Sequence, residues 1–526
     1  MPIEAINRSI ILTDKVKGWT TIEGDGNIDP AFSPTFRNII LTQQGKIQKR
    51  SGSTAINASA TDAPIVSILE WCPTTAGTAC QILVTTSAGT IYRLETDNTF
   101  TSLKVGRDGA REFGANFRGK LYFNNGVDTP QVYDSAGGLA DHTASGATAI
   151  AKYGYIHAHE SRLFVSGGTD LTVSEIRYGT LNDADDWDTG TTATDAGTID
   201  TAGVLPKGDA VTSINSHKGW LALFHKNHVV LYNFTTDQRS LTLQHIIPQQ
   251  GTVCADGQEL IGNDAYYWAR YGVKSVRETV QTESVELGDD ISEPIDDELT
   301  SRLGSVISNS REDKVSLVNY NPKSILVLNY PVNAAGTEFR QAVYNYRFGA
   351  WMEWTGMNHN VIFVSSNNVM YGGDQSGFLH QIDASGATTD NGNSIEFVWE
   401  TPWLFLGNTA RIKDMDALKI VLGVDEADSV AISFRSYTSF NESGDTEITD
   451  TFTFTGSGPY WTESAASPTF VFDGFWTGSG KSSPLPFPVT GYGLVHKFFF
   501  ENSDNQPFSF EYMRADFTNG GKADGQ

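Results

Sequence analysis

The stretch "YIHAHESRLFVSGG" holds the residues whose types and spacing point most directly to chemistry. His157 and His159 are two positions apart, so on a strand their imidazoles share one face, while Glu160 points to the other face. Two adjacent imidazoles could bind a metal, but a zinc site needs at least three placed ligands and supporting hydrogen bonds. The sequence therefore favours the structural alternative, a blade strand with Tyr155, His157 and His159 along one face.

A second group of chemically capable residues is the acidic segment "LNDADDWD", which contains Asp183, Asp185, Asp186 and Asp188. Pairs of carboxyl groups catalyse glycoside hydrolysis, and some glycosidases are propellers. No second acidic motif lies nearby in the sequence, which favours a solvated loop that Trp187 anchors to the body of the protein. Such a loop could face a channel or a neighbouring subunit.

The segment "EGDGNIDP" resembles the start of a calcium loop, because Asp25, Asn27 and Asp29 occupy alternate positions. An EF-hand loop requires glycine at its sixth position and glutamate at its twelfth. Pro30 and Phe36 occupy these two positions, so a turn is the favoured interpretation.

The segment "HKNH" places His225 and His228 at a predicted hairpin turn, where they could chelate a metal only if the turn were tight. The chain contains no helical HExxH motif, no G-x-S-x-G nucleophile motif and no P-loop. The sequence accordingly predicts no catalytic residue, no cofactor site and no metal site, and the protein is not expected to be an enzyme.

The elements that position these residues follow from length and composition. A chain of 526 residues is too long for one core, which predicts two or three domains. Hydrophobic residues make up 39% of the chain, charged residues only 19%, and there are 51 glycines, a mixture typical of β-rich proteins.

The charge balance limits the classes of function. The formal net charge is −25 and no basic run is present, which argues against sequence-specific nucleic-acid binding. No segment approaches the ~20 apolar residues of a membrane-spanning helix, and the N-terminus lacks the pattern of a signal peptide. Cys72 and Cys80 could pair across a hairpin, but two reduced thiols are the favoured interpretation for a protein folded in a cytoplasm.

One pattern recurs along the chain: a short apolar strand, a turn containing Gly, Asn or Asp, and a second strand ending near an aromatic residue. Its seven occurrences begin at Ile82, Leu121, Leu163, Leu221, Ala265, Ile325 and Val369. The spacing of about 40 to 60 residues is close to the ~40–50 residues of propeller blades. We therefore predict an all-β fold with a β-propeller of about seven blades, in which each hairpin supplies the middle strands of a four-stranded blade. The alternative is a series of hairpins in sandwiches.

Three domains are predicted: an N-terminal hairpin arm over residues 1–60, the propeller over 61–388, and a C-terminal antiparallel β-sandwich over 389–526. A short amphipathic helix is predicted over residues 293–304, with Ser292 as its N-cap and Leu299 and Leu303 on its apolar face. The tail "TNGGKADGQ" is expected to be disordered.

The segment "SPTFRNIILTQQGKIQKRSGS" resembles the opening of the tail hub, or nozzle, proteins of short-tailed bacteriophages. Their recurring N-terminal phrase is matched by Arg37, Asn38, Gly45, Lys46, Arg50 and Gly52, although Ser51 replaces the proline that usually follows the second arginine. The segments "HAHESRLFVSGG", "SEIRYGTLNDADDWDTG", "ISEPIDDEL" and "VYNYRFGAWMEW" are similar to further stretches of that family, in the same order. The resemblance covers roughly residues 30 to 385.

The resemblance implies a structural virion protein, assembled in the host cytoplasm and located in the tail. Six copies would form a ring below the portal and adaptor, continue the DNA channel, help to retain and release the genome, and bind tail fibres or spikes. The acidic charge would then keep DNA phosphates from adhering to the channel wall. Two alternatives are a carbohydrate-binding or glycoside-hydrolase propeller and a trimeric receptor-binding spike.

Overall fold

The computed structural model describes residues 7–13, 16–21, 28–73, 79–146, 152–206, 208–234, 237, 241–276, 290–406, 411–424, 429–438, 448–455, 485–487, 492–493 and 495–522. The chain divides into two compact units. The propeller unit comprises Thr54–Gln341 and Met357–Ile382; the sandwich unit comprises Met1–Ser53, Ala342–Gly356 and Asp383–Gln526. Residues 1–53 thus fall in one unit with the C-terminal residues.

The propeller unit is built from antiparallel sheets that follow one another along the chain. Blade 1 consists of Ile65–Trp71, Gln81–Thr86, Ile91–Leu94 and Phe100–Lys104. Blade 2 consists of Phe113–Phe117, Lys120–Asn124, Gln131–Asp134 and Gly138–Asp141. Blade 3 consists of Tyr155–His159, Arg162–Ser166, Glu175–Tyr178 and Gly197–Asp200. Blade 4 consists of Val211–His217, Trp220–His225, His228–Asn233 and Thr242–Pro248.

Three further blades complete the series. Blade 5 contains Gln258–Ile261, Asp264–Ala269 and Gly272–Ser275. Blade 6 begins with Ser316–Tyr320 and Ile325–Pro331, and the boundary between the two units falls inside its third strand, Phe339–Asn345. Blade 7 contains His359–Val364, Met370–Asp374 and Leu379–Ile382, next to which lies the strand Ser53–Ala55. Single 3-10 turns lie at Thr201–Gly203, Glu312–Lys314 and Asn321–Lys323.

The innermost strands of these blades form a closed ring. Each one contacts the innermost strand of the next blade, and His359–Val364 of blade 7 contacts Ile65–Trp71 of blade 1. On the outer side of blade 7, the amide of Ile56 donates to the carbonyl of Leu379, so a strand from the start of the unit completes its last blade. The prediction of a propeller of about seven blades is confirmed, and the seven predicted hairpins are the middle strands.

The core of the propeller unit lies between the faces of adjacent blades. Phe164 and Tyr178 of blade 3 pack with Leu223 and Val230 of blade 4, and all four side chains are buried. A four-stranded sheet with two apolar faces cannot bury both alone, so each blade depends on its neighbours around the ring. Tight hairpins hold the middle strands together. In blade 1, Gly89 has a φ of +77°, and a Cβ atom there would lie 1.9 Å from the carbonyl oxygen of Arg107.

The α-helix of the propeller unit spans Asp296–Ser308, so it begins and ends later than predicted. A 3-10 turn over Glu293–Ile295 precedes it. Leu299 and Leu303 are buried as predicted, and the helix contacts strands of blades 5 and 6. Ser292 occupies the N-cap position of the 3-10 turn and not of the α-helix, and its hydroxyl makes no capping bond but accepts the amide of Val273. Among the described residues, no helix has both the length and the apolar character needed to cross a bilayer.

The sandwich unit contains two antiparallel-rich sheets. The first contains Asn7–Ile11, Ile39–Leu41, Ile47–Lys49, Arg411–Val424, Leu485–Phe487, Tyr492–Gly493 and Phe508–Lys522. The second contains Gly18–Trp19, Phe32–Ser33, Thr35–Arg37, Ala350–Trp354, Phe397–Glu400, Ser429–Thr438, Ile448–Thr455 and His496–Asn502. The short strands Thr389–Asp390 and Asn393–Ser394 pair with each other.

Aromatic side chains fill the space between these two sheets. The ring centroid of Phe510, on the first sheet, lies 5.1 Å from that of Trp399 and 5.5 Å from that of Phe500, both on the second sheet. Phe397 packs against Phe508 at 4.9 Å in the same layer. Facing sheets with such a layer form a β-sandwich, as predicted for the C-terminal part of the chain.

The structure can be compared with the predictions for the N-terminal hairpin, the C-terminal tail and the two neighbouring cysteines. The N-terminal hairpin is present as Ile39–Leu41 and Ile47–Lys49, and its second strand pairs with Phe508–Lys522 in the first sheet. That last strand includes most of the tail, so the expectation of disorder is wrong for residues 518–522. The expectation of reduced thiols is also wrong, because Cys72 and Cys80 form a disulfide where their two strands meet.

Candidate functional site

The innermost strands of the propeller enclose a polar cavity of about 250 Å³. Every blade contributes to its wall, and the charged or titratable residues among them come from blades 2, 3 and 5 and the segments that precede them. Middle strands are apolar on both faces because they are covered by neighbouring blades. Innermost strands instead expose one edge to the cavity, so a mixed sequence such as "VTSINSH" is tolerated there.

Arg111 is the cation of this cavity. Its guanidinium forms an ion pair with Asp256 and donates hydrogen bonds to the carbonyl oxygens of Asp313 at 2.7 Å and Val315 at 2.9 Å. The Arg111 side chain is almost fully buried, with 5% of its surface exposed. Three acceptors thus fix the guanidinium at the cavity wall, as a buried charge requires.

Two carboxyl groups of blade 5 line the cavity close to this cation. Asp256 has 37% of its side-chain surface accessible, but the residue lines the cavity, where burial raises the pKa of its carboxyl and the Arg111 charge opposes that rise. Burial raises the pKa of Glu259 to about 7, and the charge of Asp256 acts in the same direction. One Glu259 oxygen accepts the amide of Leu260 at 2.9 Å, and the described residues provide no cation for this carboxyl.

These groups can exchange protons and bind small polar molecules. A carboxyl that titrates near neutral pH can act as an acid or as a base, and burial raises the pKa of both Asp256 and Glu259. The cavity is smaller than a typical ligand pocket of ~300–1,000 Å³, so it fits one small polar molecule and not a polymer. Arg111, Asp256 and Glu259 could not be identified from the sequence, because none belongs to a recognisable motif.

The two histidines of "HAHE" do share a face of the strand Tyr155–His159, as predicted. Both contact one hydroxyl: His157 Nε2 and His159 Nδ1 each lie 2.9 Å from Ser216 Oγ. Burial lowers the pKa of His157 to about 3, helped by the charge of His159, so the pair is neutral near pH 7. No metal-binding group that includes these histidines occurs among the described residues.

The acidic loop lies on the surface and is anchored by Trp187, whose side chain is fully buried and whose indole N–H donates to the Ala184 carbonyl at 2.8 Å. Asp183 and Asp186 accept backbone amides two residues further on, of Asp185 at 2.9 Å and Asp188 at 3.0 Å. Asp185 also contacts buried His142 at 3.0 Å. The four acids are thus engaged in turns and local contacts of the propeller unit.

The histidines of "HKNH" and the calcium-like segment "EGDGNIDP" are the two remaining candidate metal sites. Within "HKNH", His225 Nδ1 lies 3.0 Å from the Asp209 carbonyl oxygen, and His228 Nδ1 lies 2.5 Å from the Asp209 carboxylate. The two imidazoles thus engage different atoms of one residue. In the calcium-like segment, Asp25 and Asn27 lie outside the described residues, and Asp29 forms an ion pair with Lys17 at 2.9 Å.

Two residues of the N-terminal phrase, Asn38 and Arg50, belong to a buried network in the sandwich unit. The Arg50 guanidinium binds both carboxylate oxygens of Asp390 and donates to Asn38 Oδ1 at 2.9 Å and to the Thr355 carbonyl at 3.0 Å. Asn38 itself has a φ of +54°, and its amide group donates to the Glu396 carbonyl at 2.7 Å.

The remaining residues of the phrase are held by direct contacts. Arg37 pairs with Glu353 at 3.0 Å, and Lys46 pairs with Glu511. A Cβ atom at Gly52 would lie 2.0 Å from the carbonyl oxygen of Thr389, so only glycine fits without movement of that backbone. The phrase therefore specifies how the N-terminal strands join the rest of their own unit.

Among known proteins, the chain is similar only to solved structures, and that similarity concerns the fold. No family model matches the chain, and no curated protein matches it. A solved structure of YCF48 from Cyanidioschyzon merolae is similar at 10% identity and a TM-score of 0.40, over 63% of this chain and 98% of that one. The Pan2 WD40 domain of Neurospora crassa is similar at 9% identity and a TM-score of 0.38, over 65% of this chain and 98% of that one.

Proposed function

We propose that this chain is the hub, or nozzle, protein of a short-tailed bacteriophage and acts by assembly, without catalysis. Six copies would form a ring that continues the DNA channel below the portal and adaptor, helps to retain and release the genome, and binds tail fibres or spikes. The observation that carries the proposal is the N-terminal phrase shared with that family. Two of its residues, Asn38 and Arg50, form a buried network with Asp390, so the resemblance includes positions that determine the fold.

The charge distribution supports a role beside DNA without tight binding. The propeller unit has 21 Lys and Arg against 36 Asp and Glu, a net −15, and the sandwich unit has 16 against 26, a net −10. Either unit would therefore present a negative surface to a channel, which repels phosphates and lets a duplex slide. The propeller cavity of about 250 Å³ cannot admit a duplex, so a genome channel would have to lie between copies.

Blade 4 offers an edge through which like-charged copies could meet. The outermost strands of blades 1, 2 and 3 end in Lys104, Asp141 and Asp200, whereas the outermost strand of blade 4, Thr242–Pro248, has no charged residue. Six of its seven residues are exposed, and no other described strand pairs with its outer edge. Exposed strand edges pair readily unless charges prevent it, so this edge fits a contact between subunits.

The test is the copy number of the chain in purified virions of the phage that encodes it, measured by quantitative mass spectrometry against the major capsid protein. About six copies per particle, located at the tail by labelling or microscopy, are expected. Three copies, or a multiple such as eighteen, would indicate a spike or fibre. Absence from the virion would overturn the proposal.

A second candidate function is binding or hydrolysis of a small carbohydrate in the propeller cavity. Two carboxyl groups whose pKa values burial raises, Asp256 and Glu259, line one cavity beside Arg111, and glycosidases also use a pair of carboxyl groups. The test compares wild type, Glu259→Gln and the surface variant Glu160→Gln on a panel of aryl glycosides. Turnover that only Glu259→Gln abolishes would support it, and no turnover or binding by the wild type would remove it.

A further inference from the structure

Two strands of blade 1 bring two sulfur atoms and a carboxylate together at one end of the sheet. Trp71 and Gln81 are paired across the strands Ile65–Trp71 and Gln81–Thr86, so Cys72 and Cys80 follow and precede them at the same end. Their Cα atoms are 4.4 Å apart and their sulfur atoms form a disulfide. Glu70, two residues before Cys72, places a carboxylate oxygen within 4.8 Å of both sulfur atoms, and all three residues are half-buried.

Ser366 of blade 7 orients this carboxylate. Its amide donates to Glu70 Oε2 at 2.8 Å and its hydroxyl donates to Glu70 Oε1 at 3.1 Å. The same hydroxyl oxygen lies 3.5 Å from the sulfur of Cys72 and 3.4 Å from that of Cys80. A carboxylate held by two donors from a neighbouring strand connection is preorganised, as carboxylate ligands of metal sites are.

We propose that the reduced form of this site binds a divalent zinc ion through Cys72, Cys80 and Glu70. Two thiolates and one carboxylate match the ligand preference of Zn²⁺, with bonds of ~2.3 Å to sulfur and ~2.0–2.2 Å to oxygen. Three protein ligands leave a fourth tetrahedral position open for water. The proposal does not depend on the tail-hub function.

The disulfide and the zinc site are alternative states of the same atoms. A dithiol reductant transfers two electrons and two protons, which breaks the sulfur–sulfur bond, leaves Cys72 and Cys80 as thiols, and converts the reductant to its own disulfide. Zn²⁺ then displaces both thiol protons to solvent, so binding strengthens as pH rises. In a reducing compartment, where disulfides are rare, the metal would replace the covalent link between the two strand ends.

The experiment measures zinc binding by the full-length chain in its oxidised and reduced forms. Reduction is carried out with a water-soluble phosphine, which takes up oxygen from water to become the phosphine oxide and leaves two thiols. Free Zn²⁺ is followed with a chromophoric chelator in competition. The reduced wild type should bind one more Zn²⁺ per chain than the oxidised form, and Co²⁺ in its place should give thiolate-to-metal charge-transfer absorption.

Variants assign the ligands. Cys72→Ser should abolish the additional zinc site. Glu70→Gln and Ser366→Ala should lower its affinity for zinc by about 10- to 100-fold. Cys254→Ser should leave the affinity unchanged because Cys254 is buried elsewhere. Where Cys72→Ser fails to fold, alkylation of the reduced wild type followed by peptide mass spectrometry gives the same answer. Zn²⁺ should then protect Cys72 and Cys80. Equal zinc binding by both redox forms, or no protection, would overturn the proposal.

Discussion

Replacing Arg50 with methionine should destabilise the sandwich unit strongly, because the substitution strands a buried carboxylate. Only 1% of the Arg50 side chain and 8% of the Asp390 side chain are exposed. The guanidinium makes two bonds to Asp390 and one each to Asn38 and to the Thr355 carbonyl. Removing one partner of such a pair costs about 3–5 kcal/mol, mostly because the remaining charge keeps its desolvation without its partner.

Amide hydrogen exchange measures this cost locally, which matters because a chain with two units need not unfold in one step. The Asn38 amide donates to the Glu353 carbonyl at 2.7 Å, and the Arg50 amide donates to the Asn38 carbonyl at 3.0 Å. Peptides covering these amides should exchange about 10²- to 10⁴-fold faster in Arg50→Met than in the wild type, since ~1.4 kcal/mol corresponds to tenfold.

Two further variants separate the electrostatic cost from general damage. Arg347→Ala removes an exposed arginine of the same unit and should change exchange by less than about threefold, as surface substitutions do. Adding Asp390→Asn to Arg50→Met removes the stranded charge and should recover about 1–3 kcal/mol. Equal exchange rates in Arg50→Met and Arg347→Ala, or no recovery on adding Asp390→Asn, would show that the stranded charge does not set the cost.

Three further outcomes test other parts of the molecule. Trp187→Ala should accelerate amide hydrogen exchange throughout residues 180–196, because the cavity it opens lowers stability by about 3–5 kcal/mol. Unchanged protection would mean that the indole does not anchor the acidic loop. Because burial raises the pKa of Glu259 from 4.5 to about 7, the stability that its neutral form contributes is complete below pH 4.5 and is lost as pH rises through 7. In denaturation curves, the free energy of unfolding of Glu259→Gln should therefore rise relative to that of the wild type by at most about 3 kcal/mol over that pH interval. Parallel pH profiles of the two proteins would contradict this. Ile246→Lys, on the uncharged edge of blade 4, should lower the number of copies built into virions, whereas Val173→Lys, at a residue 55% exposed in blade 3, should not; equal incorporation would exclude that edge as a subunit contact.

The blades were predictable because their middle strands are covered on both faces. In blade 4, the strands Trp220–His225 and His228–Asn233 are apolar over almost every residue, and a short polar turn separates them. Local sequence thus contains both the strands and their connection. The innermost strands lack this signal, since one edge lies along a polar cavity, and only the blade spacing placed them.

Contacts between distant parts of the chain could not be predicted from such local patterns. Ile47–Lys49 pairs with Phe508–Lys522, and Thr35–Arg37 pairs with Phe397–Glu400 in the opposite sheet of the sandwich. The two N-terminal strands have only three residues each, and their register depends on residues more than 350 positions away. The disulfide was misjudged for a related reason: composition suggested the compartment, but the register of two strands decides whether two sulfur atoms meet.

The contrast between the two sets of acids explains why the candidate site could not be found from the sequence. Asp183, Asp185 and Asp188 attract attention because they are crowded, yet crowding is possible only where water and turn amides screen like charges from one another, and all three are exposed. A carboxyl with a raised pKa needs the opposite setting, with few charges near it and little water. Glu259 meets that condition because seven strands from separate blades surround its cavity, and the Arg111 guanidinium in the same cavity is paired with Asp256. An isolated acid in a polar innermost strand is therefore the feature to examine in a propeller sequence, more than a run of acids in a loop.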